Sequence, residues 1–187
     1  GPDRISPFYD EDFDSWVAPF VMGPINTRVV RRSAELLGDM YGSNFRYDEG
    51  ILTRGGPTGF LGATGIGLAT GLAMATLAAP PTRKIIKRLI PKPGEGPSEQ
   101  DQEQGFFEIE LKAKHPDDEG LDLRAIVKGD RDPGYGSTAK MIVESALALA
   151  HDDIKKGGGF WTPASVIGDQ LLQRLPLHAG VTFELVG

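Results

Sequence analysis

The sequence predicts an α+β fold: a mainly antiparallel sheet with helices packed on one face, plus an apolar helical segment. Three observations predict it. Residues 106–114 and 121–128 alternate apolar and polar with the period of a half-buried strand. Residues 137–154 and 163–175 repeat apolar side chains with the period of a helix. From Gly55 to Thr82 there is no charged residue at all, a run far too long for a strand.

Taken in order, residues 5–24 mix aromatic and acidic side chains (Phe8, Tyr9, Asp10, Glu11, Asp12, Phe13, Asp14, Trp16) with prolines at 7, 19 and 24. The prolines forbid one long element, so an irregular segment that lays its aromatics on its own domain is expected. Residues 26–41 read as a helix capped by Asn26 and stopped by Gly42, with Val29, Ser33, Leu36 and Met40 on one face. Arg28, Arg31 and Arg32 crowd its first turns. A solvated face is the ordinary reading of such a run; the sharper one is a carboxylate or phosphate site, because arginine presents a bidentate fork.

The uncharged run contains Phe60, Leu61, Ile66, Leu68, Leu72, Met74 and Leu77 among many Gly, Ala and Thr residues. Arg83, Lys84, Lys87 and Arg88 follow, interleaved with Ile85, Ile86, Leu89 and Ile90. Three readings compete: a buried or pocket-lining helix, a peripheral membrane contact, and a membrane span. The small side chains rank them in that order, since their transfer into lipid is weakly favourable. The basic stretch is of the kind that lies on anionic membrane surfaces.

Residues 91–104 read as a flexible polar loop in which Ser98 caps a brief turn at 99–104. The two alternating strands are joined by the turn-rich 115–120 and form a hairpin. The next helix, capped by Ser137 or Thr138, carries a stripe of Ala139, Ile142, Val143, Ala146, Leu147, Ala150 and Ile154. The helix 163–175 starts after Thr162 with Pro163 at its first position, turns Ala164, Ile167, Leu171 and Leu175 inward, and ends at Pro176. A last strand, 181–186, joins the hairpin in one sheet. The chain of 187 residues is read as a single substrate-side or dimerisation domain.

Composition excludes several chemistries. There are no cysteines, hence no thiol nucleophile, disulfide or thiolate metal site. The net charge of -6 disfavours generic nucleic-acid binding. His115, His151 and His178 are too scattered to share a metal, so none is expected. The start of the chain lacks a basic-then-apolar leader, and a cytoplasmic protein is expected, with a peripheral membrane contact through 59–90 as the second-ranked reading of that segment.

Two glycine-rich turns remain as ligand candidates. Gly134, Tyr135, Gly136, Ser137 and Thr138 lead from a strand into a helix, where exposed N–H groups and the helix dipole favour an anion. The lysine of a nucleotide-triphosphate loop is absent, because Ser137 directly follows Gly136. Gly157, Gly158 and Gly159 precede Trp161 and Thr162, which offer a flat apolar wall and a hydroxyl. A tight turn is the alternative at both places. Gly65, Gly67 and Gly71 imitate a dinucleotide fingerprint with the wrong spacing and context.

Four blocks carry a family resemblance: 9–20 (YDEDFDSWVAPF), 24–33 (PINTRVVRRS), 132–139 (DPGYGSTA) and 158–165 (GGFWTPAS). Together they resemble the region after the Rossmann domain in saccharopine-dehydrogenase-like oxidoreductases, above all the branch of bacterial trans-acting enoyl reductases. The resemblance implies that NAD(P) is bound by an N-terminal Rossmann domain missing from this sequence, with no cofactor for this chain itself. It implies a substrate-side domain that completes the cleft and joins a homodimer, and a substrate with an acyl or lipid chain. The alternative is a non-catalytic dimerisation or membrane-docking module.

Overall fold

The computed structural model describes residues 4–79 and 94–186. Its contacts fall into two compact units, Gly1–Glu95 and Gly96–Gly187.

In the first unit, β1 (Phe8–Asp10), β2 (Ser15–Pro19) and β3 (Gly50–Leu52) form an antiparallel sheet in that order. The expected irregular segment at 5–24 is therefore a hairpin in its first part. The prolines sit at or beyond strand ends, so they cost the ladder little. Asp10 makes the turn by accepting from the N–H groups of Asp12 and Phe13, and Asp14 takes the left-handed conformation (φ 48°). Val17 and Ala18 of β2 are buried. The aromatics do pack on their own unit: Trp16 meets Tyr9 and Phe60 edge-on, with centroids 5.6 and 4.8 Å apart.

Helix α1 (Gly23–Leu37) begins three residues before the expected start. Pro24 suits the first turn, where a missing N–H costs nothing, so Asn26 lies inside the helix rather than capping it. The α-helix ends at Gly38 (φ 60°), and a 3₁₀ turn carries on through Tyr41 to Gly42 (φ 72°). Its inner face holds Thr27 and Ser33, whose hydroxyls donate to the carbonyls of Gly23 and Val29 four residues back.

Helix α2 (Gly56–Ala78) follows β3. Its first turns are pinned to the sheet. Gly59 lies so close to Arg54 that a Cβ there would sit 1.5 Å from the Arg54 carbonyl oxygen. Thr53 Oγ1 lies 2.8 Å from the carbonyl oxygen of Trp16 and 3.1 Å from that of Gly59. Ala63 is fully buried.

In the second unit, α3 (Glu99–Gln104) is the brief turn expected there, with Ser98 and Asp101 exchanging cap hydrogen bonds. β4 (Phe107–Ala113), β5 (Leu123–Gly129) and β6 (Val181–Val186) form the expected antiparallel sheet in that order. Helices α4 (Gly136–His151) and α5 (Pro163–Arg174) complete the α+β unit. Register places Phe107, Gly129 and Val181 in one row across the sheet, and Ile109, Val127 and Phe183 two rows on, on the same face. The core forms at this end, where Leu175, Ala179 and Val181 pack with Phe107, Val127, Met141 and Leu171. The opposite face carries ion pairs between Glu110 and Arg124 and between Glu108 and Lys128.

Two expectations about the helices are corrected. Pro176 does not end α5: a π-helical segment (Leu175–Ala179) carries the chain to Gly180 (φ 67°), which reverses it into β6. Nor does the apolar stripe of α4 face inward. Ile142 and Val143 are exposed, while Ser137, Glu144 and Ala148 are buried. The helix is rotated because its polar residues find partners inside. Ser137 Oγ donates to the Arg131 carbonyl and Glu144 meets Arg174, so burying them leaves no unmatched group.

Candidate functional site

The turn into α4 is built around one carboxylate. Asp132 accepts from the N–H groups of Gly134, Tyr135 and Gly136 at 2.9, 3.0 and 2.7 Å. These bonds, that from Gly136 first, hold its carboxyl below the ordinary carboxylate range. The amides that made this segment an anion candidate thus already hold an anion, supplied by the chain itself. Tyr135 takes the cap position; Ser137 and Thr138 lie within the first turn instead, with the Thr138 hydroxyl donating to the Pro133 carbonyl at 2.7 Å. An outside carboxylate or phosphate reaches these N–H groups only by displacing Asp132. The Tyr135 ring remains exposed beside Gly96.

The second glycine-rich turn is braced by Trp161. Trp161 Nε1 donates to the Gly157 carbonyl at 2.9 Å, and the Lys156 ammonium lies 4.8 Å from its ring centre. The N–H of Thr162 donates to Ser165 Oγ at 3.0 Å, which ties off the start of α5.

In the first unit, Arg28, Arg31 and Arg32 lie along one side of α1. Arg32 pairs with Glu35 one turn on, at 2.9 Å. Arg31 lines an open hollow with Ala34, Glu35, Gly42 and Phe45. The node that sequence reasoning missed is Glu49. It accepts from Asn26 Nδ2 at 2.9 Å and from the Tyr47 hydroxyl at 2.7 Å. Burial, reinforced by that hydrogen bond, pushes the Tyr47 phenol well above its usual range. Nothing in the local sequence marked Glu49, because its partner Asn26 is 23 residues away.

A second missed cluster ties α4 to α5. Arg174 donates to Glu144 at 3.0 Å and to Asp152 at 3.0 and 3.2 Å. This cluster clamps the two helices together. No group of three or more His, Asp or Glu side chains could hold a metal among the described residues.

Among the acyl-chain candidates on α2, Phe60 packs on Trp16 with part of its ring exposed, Ile66 is half-buried, and Leu61, Leu68, Leu72, Met74 and Leu77 are exposed. The expectation of a helix is met; that of a closely packed, buried one is not, since Gly59 and Ala63 alone are buried along it. Arg83, Lys84, Lys87 and Arg88 lie outside the described residues.

In the second unit, the apolar face of the sheet is covered at one end only. Ile109, Leu111, Leu123, Phe183 and Leu185 remain exposed, Leu185 by 76%.

The decisive observation comes from comparison with known proteins. The chain is similar to part of the mycobacterial trans-acting enoyl reductases. It is 40% identical over 174 residues to a putative trans-acting enoyl reductase of Mycobacterium tuberculosis, covering 90% of this chain and 41% of that one. It is 39% identical over 172 residues to a trans-acting enoyl reductase of Mycobacterium ulcerans, covering 86% and 39%. A trans-acting enoyl reductase of Mycobacterium bovis is 38% identical over 178 residues, covering 89% and 40%. The chain therefore spans about two-fifths of the length of the curated relatives it matches. No family model matches it, and no solved structure matches it.

Proposed function

We propose that this chain is the substrate-side part of an NAD(P)-dependent, saccharopine-dehydrogenase-like oxidoreductase. The enzyme reduces a carbon–carbon double bond of an acyl or lipid-like substrate, in the manner of a trans-acting enoyl reductase. The observation that carries the reading is the similarity at 40% identity across nine-tenths of the chain to proteins of that name.

The residues of this chain do not fit the dinucleotide. A pyrophosphate needs open N–H groups at a helix start. Those of the turn before α4 are held by the Asp132 carboxylate, which would repel it. NAD(P) is accordingly assigned to the part of the enzyme outside these residues, where it supplies the hydride. This chain contributes surfaces for the rest of the substrate, with Arg28, Arg31 and Arg32 and the surrounds of Tyr135 and Trp161 as its polar candidates.

A cytoplasmic homodimer belongs to the same proposal. The exposed row from Ile109 to Leu185 favours it, because an uncharged apolar surface can meet its own copy across a two-fold axis. The same surface favours the second reading, a non-catalytic dimerisation module.

The test uses the natural protein in its full length, with NADPH and a series of enoyl thioesters. Loss of NADPH absorbance together with the saturated product supports the proposal. Absence of turnover with every thioester, in a protein that dimerises, supports the module instead. These 187 residues alone are expected to leave NADPH fluorescence unchanged; saturable micromolar binding would overturn the assignment of the cofactor to the missing part.

A further inference from the structure

Helix α2 changes character along its length. Up to Gly67, where an added Cβ would meet Pro7 and Pro19 at 3.4–3.6 Å, one side of it is held to the first sheet, while Leu61 on the other side is exposed by 68%. Beyond that point its support ends. A Cβ at Gly71 would meet nothing within 4 Å, and Leu68 and Leu72 are exposed by 70% and 67%. Residues 71–75 are all exposed, and at about 100° per residue five consecutive positions step round the whole circumference. Met74 and Leu77 point away from the side that carries Leu68 and Leu72.

A protein partner buries one stripe of a helix and leaves the other side polar. Here no side is charged: from Gly55 to Thr82 the sequence has no charged residue, and the polar side chains between 68 and 78 are Thr70 and Thr76. Lipid covers a helix from all sides, so it suits this surface better than a second chain does. The charge of the lipid follows from the sequence alone. The next charged residues are Arg83, Lys84, Lys87, Arg88 and Lys92, and no acidic residue intervenes before Glu95. Basic residues of this density next to an apolar segment favour anionic headgroups.

Length decides between spanning and dipping. The whole helix is long and apolar enough to cross a membrane. To cross, it would have to give up the contacts of Gly59 with Arg54 and of Phe60 with Trp16. The unsupported part, residues 68–78, is only about 16 Å long, roughly half of the ~30 Å hydrocarbon core. We propose that residues 68–78 of α2 insert into one leaflet of an anionic membrane and dock the protein there, with the first sheet remaining outside the bilayer.

This inference does not depend on the enzymatic reading, and a protein with no reductase activity could dock in the same way. The test is flotation of the natural full-length protein with phosphatidylcholine vesicles, with and without phosphatidylserine. The protein is expected to float with the anionic vesicles. Replacing Leu72 and Leu77 by Glu should weaken that partition by about a hundredfold, since two exposed leucines can no longer enter the lipid. Both positions are exposed, so circular dichroism should be unchanged. A milder variant, Leu72→Ser with Leu77→Ser, should give a smaller loss in the same direction. Failure of the wild-type protein to float overturns the proposal. So does equal flotation of wild-type and Glu variants, which would place the contact elsewhere. A dimer in the absence of vesicles that the Glu variant abolishes would show that a second copy covers the helix, and would also overturn it.

Discussion

Replacing Arg174 by Met tests whether the clamp between α4 and α5 holds the second unit together. The substitution keeps most of the side chain's length but removes its hydrogen bonds to Glu144 and Asp152. Glu144 then stays in place with its side chain only 11% exposed and its cationic partner gone. Removing one partner of a fully buried pair costs about 3–5 kcal/mol. The Arg174 and Asp152 side chains are each 24% exposed, so water takes part of that charge, and we expect a loss of about 2–3 kcal/mol. Replacing Glu144 by Leu at the same time removes the stranded charge and should recover at least about half of the loss. The assay is urea unfolding followed by tryptophan fluorescence. Trp16 lies in the first unit and Trp161 in the second, so a Trp16→Phe background confines the signal to the second unit. A loss below about 0.5 kcal/mol for Arg174→Met, within the range of an ordinary surface change, would refute the reasoning. So would a double variant no more stable than Arg174→Met alone.

Three further outcomes are expected. The Asp132 carboxyl is held below its ordinary range in the folded chain, so its stabilising effect is present above the unfolded-state pKa of about 3.9 and is lost as pH falls through the lower folded value. Asp132→Ala should therefore lower the urea midpoint at pH 7 and flatten the acid limb of the stability curve; an unchanged acid limb would contradict the role given to the three N–H bonds. Gly180→Ala should cost about 2 kcal/mol or more, because residue 180 is left-handed and a Cβ would stand 2.2 Å from the Asp130 carboxylate; a midpoint within error of wild type would count against this. Gly59→Val should detach the start of α2 from the first sheet, since even a Cβ would sit 1.5 Å from the Arg54 carbonyl oxygen, and faster amide exchange at Trp16 and Thr53 would report it.

Much of the second unit was legible in the sequence. Alternation at 107–113 and 123–129 encodes a two-faced hairpin whatever surrounds it, because successive side chains of a strand must point to opposite faces. Ser98 and Asp101 announced their cap, and Thr162 with Pro163 announced α5, since a helix start needs partners that only nearby residues supply. The uncharged stretch was too long for a strand, which pointed to a helix. Tertiary structure decided what these local rules leave open. Which face of α4 turns inward depended on Arg174, 30 residues from Glu144, and that pairing outweighed the apolar stripe. Whether the turn at 134–136 was open to a ligand depended on the orientation of one carboxylate, at Asp132. The hairpin at 8–19 was hidden because strands of three and five residues, joined by an acidic turn and bounded by prolines, carry little periodicity; it forms because β3, drawn from residues 50–52, completes its ladder. The burial of α2 was likewise not a local property. Its residues are uncharged throughout, but only the side that meets β2 is covered, because a sheet this small has no surface left for the rest.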